Sequence, residues 1–182
     1  MLENCPIFMD KCLHEMIDPT VKITTKLDHK ISSILKGWKK EGQTSDVFII
    51  GWTFESFLAN KLAIIFLIDK GVPYSLFDTI QDYAPLDEED WTKILNLSSK
   101  SLQRYKQTEK DFGRLQSEKI IEMAEVTNIG LDVFGNMEKF KRWLSTPNFA
   151  LSKLKPLELL KDSYGKEMVI GELTRINYGI LA

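Results

Sequence analysis

From Gly71 onwards the chain is punctuated by residues that stop or start helices. Gly71, Pro73, Ser98, Gly135, Asn136, Pro147, Pro156, Gly165 and Gly179 recur, with apolar residues at three- and four-residue spacing between them. Proline removes a helical N–H, glycine takes the left-handed turn that ends a helix, and serine or asparagine caps the next one. A chain so divided is restricted to a bundle of short helices, and it reads as a mostly α protein.

The segments follow from these signals. Phe54 to Lys70 is expected as one helix with Phe54, Phe57, Leu58, Leu62, Ile65 and Phe66 on its apolar face, closed by Gly71. Pro73 opens a short helix through Ile80 and Tyr83. Asp87 caps a helix whose acidic first turn suits the helix dipole, with Trp91, Ile94 and Leu95 facing inward. Leu97-Ser98-Ser99 is a tight break, and Ser98 or Ser99 caps a second helix carrying Leu102 and Tyr105. Ser117 with Glu118 is expected to open a longer helix through Phe134, closed by Gly135. Asn136 caps a helix holding Phe140, Trp143 and Leu144, which Pro147 ends. Pro156 starts Leu157–Leu160, and Gly165 is expected to precede a last helix with Val169, Leu173 and Ile176, ended by Gly179. The N-terminal text is less regular. Pro6, Pro19, Thr24–Thr25 and the tract Gly37–Asp46 suggest an irregular arm over residues 1–45 with a short strand or helix. Asp46–Gly51 (DVFIIG) reads as a short strand or a lead-in to the next helix.

Several function classes are disfavoured. The 182 residues, 43 % hydrophobic and 27 % charged, suit one domain or two small ones with a real core. A net charge of −2 argues against a wholly basic nucleic-acid coat, although an average can hide a local patch. Phe57–Asp69 is too short for a bilayer span of ~20 apolar residues, and MLENCPIFMDKC lacks the pattern of a secretory signal, so a soluble, cytoplasmic protein is expected. Cys5, Cys12 and His14 have no recognised zinc spacing, no metal or other cofactor is expected, and His29 is the only other histidine. No phosphate-binding glycine loop and no nucleophile elbow occur. The adjoining Asp87, Glu88, Glu89 and Asp90 cannot flank one substrate as an acid–base pair would, so no enzyme is expected.

Two short helices across the Leu97–Ser99 break, the second rich in small polar and basic residues, match a helix-turn-helix. Leu102 and Tyr105 would pin the second helix. Ser98, Ser99, Lys100 and Gln103 would stand at its N-terminal face for base edges, with Arg104, Lys106 and Lys110 for phosphates. Between Trp91 and Lys119 the cations Lys93, Lys100, Arg104, Lys106, Lys110, Arg114 and Lys119 outnumber Glu109, Asp111 and Glu118. An ordinary solvated helix has the same pattern, so both readings stand here.

The C-terminal text carries a more specific signature. Val133-Phe134-Gly135, Trp143-Leu144, Pro147-Asn148, Ala150-Leu151, Pro156 with Leu159-Leu160, Gly165, and Arg175-Ile176 with Tyr178-Gly179 follow one another in order. With Ser98-Ser99-Lys100-Ser101-Leu102-Gln103-Arg104 upstream, this series resembles the Xre/MbcA/ParS antitoxins of bacterial type II toxin–antitoxin systems. Lysine and glutamine stand here where that family often carries arginine. The resemblance covers roughly Gly71 to Ala182. It implies an N-terminal extension and lead helix (1–70), an Xre-like helix-turn-helix domain (71–126) and a small helical toxin-binding domain (127–182). It implies a partner too: a RES-domain toxin that consumes NAD or ADP-ribosylates, whose active site the antitoxin occludes. Promoter DNA, bound as a homodimer for autorepression, is the second implied partner. Trp143, Leu144 and Leu160 would mostly fold, while Arg175, Asn177, Tyr178 and Gly179 with the following tail would face the toxin. Trp143, Pro147 and Asn148, in a rigid loop beside them, are expected to bind the toxin as well. The alternative is a helix-turn-helix regulator whose C-terminal domain only dimerises.

Overall fold

A computed structural model describes residues 19–40 and 52–180. Among these residues ten α-helices follow in order: α1 (Pro19–Lys40), α2 (Phe54–Ala59), α3 (Lys61–Lys70), α4 (Tyr74–Tyr83), α5 (Glu88–Leu95), α6 (Ser99–Thr108), α7 (Arg114–Phe134), α8 (Met137–Ser145), α9 (Pro156–Leu159) and α10 (Ser163–Asn177). A 3₁₀ turn, Phe149–Leu151, lies between α8 and α9, and the described residues contain no strand.

The axis is α7, which buries Ile120, Ile121, Met123, Ala124, Val126 and Thr127. Helices α3, α4 and α5 pack against it, as do α8 and α10, while α1 lies across α4 and reaches α2. Aromatic rings fill the first half. Phe77 meets Trp91 edge-on at 5.1 Å and Phe112 at 4.9 Å, and Tyr105 stacks on Phe112 at 4.4 Å. In the second half Phe140 crosses α7 at Gly130, where a Cβ would stand 2.3 Å from its ring.

Most caps occur where local chemistry demands them. Asp87, Ser98 and Asn136 each accept a backbone N–H from the first turn of α5, α6 and α8. Gly71 (φ 96°) and Gly135 (φ 62°) close α3 and α7 in backbone geometry that other residues adopt only with strain. Pro73 and Pro156 stand at the starts of α4 and α9.

Four expectations are corrected. The irregular arm is in large part α1, a 22-residue helix. Pro19 occupies its first position, where no N–H is needed, and Thr24 and Thr25 donate their hydroxyls back to the Val21 carbonyl. Leu27, Ile31, Leu35 and Trp38 bury one stripe of it. The Asp28 carboxylate accepts the Phe54 N–H at 2.6 Å, and the Ser32 hydroxyl donates to the Trp52 carbonyl. Asp46–Gly51, Cys5, Cys12 and His14 lie outside the described residues.

The expected helix Phe54–Lys70 is two helices. Asn60 is extended (φ −98°, ψ 96°) and its side chain caps α3 through the Ala63 N–H at 3.0 Å. The break turns the register, so Ala63, Ile64 and Leu67 are buried while Leu62 (69 %) and Ile65 (50 %) are exposed.

The long helix begins at Arg114, after Gly113, and Ser117 lies inside it, fully buried. Its hydroxyl donates to the Phe112 carbonyl at 3.1 Å and accepts the Val72 N–H at 2.8 Å, tying the α3–α4 corner to α7. Gly165 does not precede α10 but sits in its first turn, where a Cβ would lie 2.0 Å from the Leu159 carbonyl oxygen.

That contact makes two glycines of α10 opposite cases. Gly165→Ala must push backbone against backbone and is expected to cost about 1–3 kcal/mol or more. Gly171→Ala meets nothing within 4 Å and gains helix propensity, so it should stabilise by about 0.5–1 kcal/mol. Thermal unfolding of the two variants checks both signs.

Candidate functional site

The α5–α6 corner is built from its caps. The Asp87 carboxylate accepts the Asp90 N–H at 2.9 Å and Asp90 returns a bond to the Asp87 N–H at 3.3 Å. Burial raises the Asp90 carboxyl above its ordinary range, and the neighbouring Asp87 charge adds to this against the bond from the Asp87 backbone. Asn96 in left-handed geometry turns the chain, and the Leu97 N–H reaches the Thr92 carbonyl at 3.0 Å. Ser98 then caps α6. Its Oγ accepts the Ser101 N–H at 3.1 Å and lies 2.9 Å from the Ser101 hydroxyl, so both hydroxyls serve the turn. Leu102 is buried and Tyr105 is stacked on Phe112, which fixes the rotation of α6.

The opposite side of α6 is open. Lys100, Gln103, Arg104 and Gln107 share one exposed face by helical spacing, with exposed Ser99 and Lys106 along its flank. Three of the seven basic residues around this corner are held by carboxylates: Lys93 by Glu89, Arg114 by Asp69 and Lys119 by Glu122. Lys100, Arg104, Lys106 and Lys110 have no ion pair with a described residue. A groove of ≈ 240 Å³ runs between Leu97, Ser101, Arg104, Tyr105, Thr108 and Lys110. A fixed helix with free donors and cations on one face has the chemistry for base edges and phosphates. Gln107 is the residue of this face that sequence reasoning omitted, although its spacing from Lys100 and Arg104 marks it.

The second candidate surface lies on the C-terminal helices. Phe134, Phe140 and Trp143 cluster at 5.7–6.2 Å, which leaves Trp143 half-buried. Leu144 and Leu160 are buried with the core. Asn148 holds the following loop from four directions. Its side chain accepts the Ala150 N–H, its own N–H reaches the Leu154 carbonyl, and its carbonyl accepts from Leu151 and Lys153. The loop thereby presents Pro147 and Phe149 to solvent, Phe149 at 78 % exposure.

One side of α10 packs through Gly165, Val169, Glu172 and Leu173. On the other, Tyr164, Met168, Gly171, Arg175 and Tyr178 fall at i, i+4, i+7, i+11 and i+14, a single stripe. Tyr164 is 84 % and Tyr178 76 % exposed. Arg175 is half-buried against Glu172 at 3.3 Å. Asn177 and Gly179 are exposed at the helix end, where the Ile180 N–H returns to the Arg175 carbonyl at 2.9 Å. Sequence reasoning named Arg175, Asn177, Tyr178 and Gly179, which the structure places together at the end of α10, and did not name the exposed Phe149, Tyr164 and Met168. The stripe spacing was the available signal for the last two.

Ions line the α7–α10 seam. Glu122, with its side chain 8 % exposed, accepts from Lys119 at 2.8 Å and from the Ser163 hydroxyl at 3.3 Å, and pairs with Lys166 at 3.6 Å. Lys166 also reaches Glu125 at 3.3 Å, and Glu125 holds Lys61 of α3. Beside them a groove of ≈ 660 Å³ opens between α2, α3, α7 and α10. Among the described residues no three His, Cys, Asp or Glu side chains are grouped to hold a metal, and no helix is long and apolar enough to cross a membrane.

Residues 130–179 match the antitoxin Xre/MbcA/ParS C-terminal toxin-binding domain, and residues 63–125 match the antitoxin Xre-like helix-turn-helix domain. Together the two matches cover more than half of the chain and leave α1 and α2 outside. Antitoxin Xre of Yersinia enterocolitica (serotype O:8 / biotype 1B) is 26 % identical over 116 residues, 63 % of this chain and 78 % of that protein. A chain in the crystal structure of the M. tuberculosis MbcT–MbcA toxin–antitoxin complex aligns with a TM-score of 0.49 at 22 % identity, over 58 % of this chain and 94 % of its own.

The seam gives a stability prediction. Glu122→Ala leaves Lys119 and Lys166 half-desolvated without their shared carboxylate, and is expected to cost about 2–3 kcal/mol. Glu89→Ala, which removes the solvated pair with Lys93 and one of three acids in the first turn of α5, should shift the unfolding curve far less. Urea titration of the two variants separates these outcomes.

Proposed function

The chain belongs to the Xre/MbcA/ParS antitoxin family, with a helix-turn-helix domain and a toxin-binding domain, and from that premise we propose that it occludes a RES-domain toxin and represses its own operon. The toxin would be an NAD-consuming or ADP-ribosylating enzyme, as the family resemblance implies. The chain itself would carry no catalysis.

The observation that carries this reading is the presence of two surfaces of different chemistry, one on α6 and one on α10 with its adjacent loop. The α6 face offers Ser99, Lys100, Gln103, Arg104 and Lys106, whose cations have no ion pair with a described residue, which suits promoter DNA. Ser98 supports it by capping. On the C-terminal domain, the exposed aromatic and methionine side chains of α10 suit a protein partner, since aromatic residues, Met and Arg are the residues protein interfaces favour. Tyr164, Met168, Arg175, Asn177, Tyr178 and Gly179 would meet the toxin, with Trp143, Pro147 and Asn148 holding the adjacent loop. That loop is already fixed by its own hydrogen bonds, which lowers the ordering cost of binding. Operator binding would use a homodimer, with the functional division falling within α7.

Co-expression with the neighbouring open reading frame tests the proposal, following growth and cellular NAD. Arg104→Ala is expected to weaken binding to the chain's own promoter duplex by about tenfold to a hundredfold (~1–3 kcal/mol) while growth rescue persists. Truncation after Ile176 is expected to do the reverse. A harmless neighbour would transfer the case to a regulator whose C-terminal domain only dimerises. Equal damage to both activities by both changes would end the two-surface division.

A further inference from the structure

Helix α1 lies outside both matched domains, yet it is tightly docked. Leu27, Ile31, Leu35 and Trp38 are buried, and Trp38 meets Phe66 of α3 edge-on at 4.8 Å. This anchoring fixes which residues face outward. Lys22, Lys26, His29, Ser33 and Lys36 fall at successive steps of four and three, a single exposed line, with Lys30 half-buried beside it. The helix contains six lysines and one acid, Asp28. Asp28 is turned to the bundle, where it holds the Phe54 N–H. Lys22, Lys26, Lys30 and Lys36 form no ion pair with a described residue.

We propose that this outer face of α1 binds the phosphate backbone of duplex DNA. The inference rests on the helix-turn-helix reading for the class of ligand, and on the α1 face for the contact. From Lys22 to Lys36 the line spans about 21 Å at ~1.5 Å per residue, or roughly six base-pair steps of ~3.4 Å. A protein partner calls for an apolar or aromatic centre, and the line has none; Val21 is the one exposed large hydrophobic residue of α1. A membrane surface calls for an apolar face free to enter the lipid, whereas that of α1 is spent in the core. Lysine ammonium groups, the His29 imidazole and a serine hydroxyl in line are suited to phosphate oxygens, and the line lacks the Arg, Asn and Gln side chains whose two-pronged geometry reads bases best. The contact therefore adds affinity without adding sequence preference.

The test is fluorescence anisotropy with the duplex from upstream of the chain's own gene and a scrambled duplex of equal length, across a series of KCl concentrations. Wild type is compared with the triple variant Lys22→Gln/Lys26→Gln/Lys36→Gln, with the triple Lys→Arg variant at the same positions, and with Arg104→Ala. The glutamine triple is expected to lose affinity for both duplexes by the same factor, and to flatten the slope of log K against log salt by about 2–3, at ~0.9 per lost phosphate contact. The arginine triple should keep the wild-type slope. Arg104→Ala should reduce the preference for the native duplex. An unchanged slope in the glutamine triple, with native preference intact in wild type, overturns the α1 contact alone. A flattened slope that the arginine triple shares also overturns it, because packing rather than charge would then be the cause. Failure of wild type to bind either duplex overturns this contact and the helix-turn-helix reading together.

Discussion

A buried carboxylate holds the two halves of this chain in one register. Glu122 sits on the inward side of α7, and its oxygens are met by Lys119 from its own helix and by Ser163 and Lys166 from α10. Removing a carboxylate from water is costly unless its partners arrive in the right geometry. Apolar packing of Val169 and Leu173 against the core supplies the bulk of the attraction, but it tolerates sliding; the ion cluster does not. As α10 lies along α7, Lys166 meets Glu122 and reaches Glu125 as well. Glu125 also holds the exposed Lys61 of α3, a solvated contact at the edge of the cluster.

The two candidate surfaces sit on that fixed frame and differ in their chemistry. The α6 face is polar because its own acids are absent and the nearby lysines and arginines with partners lie elsewhere. The α10 face is apolar because the helix has more hydrophobic side chains than its packed side can take in. Tyr164 and Met168 have no place in the core, and their exposure costs the free protein some solubility. Phe149 is a parallel case on the loop, held outward by the four bonds of Asn148.

Features written in local chemistry were legible in the sequence. Asp87, Ser98, Asn136, Gly71 and Gly135 act on neighbours within four residues, and all of them end or begin helices where their residue type requires. Features that depend on distant neighbours were not. Ser117 resembles a cap but spends its hydroxyl on Val72, 45 residues away. Gly165 looks like a stop, yet it is required by the close approach of the Leu159 carbonyl. Pro19 and the threonine pair are common in irregular arms, and only the burial of Leu27, Ile31 and Leu35 makes them part of a helix. Asn60 reads equally well as a polar residue within a helix or as the start of one, and the structure takes the second. For the sites, residue type marked the basic helix, but the pairing of Arg114 with Asp69 could not be read from spacing.

The continuity of α7 bears on how such a protein can be taken apart. The helix runs from Arg114 to Phe134 without a break, and the interval between the two matched domains falls inside it. Cutting the chain there would sever intact turns and wet the side chains of Val126 and Thr127 on one fragment or the other. Each fragment would be left with a stump of helix and half of an interface. The molecule thus matches two domain families yet is one body by mechanics, since both matched segments share the beam of α7.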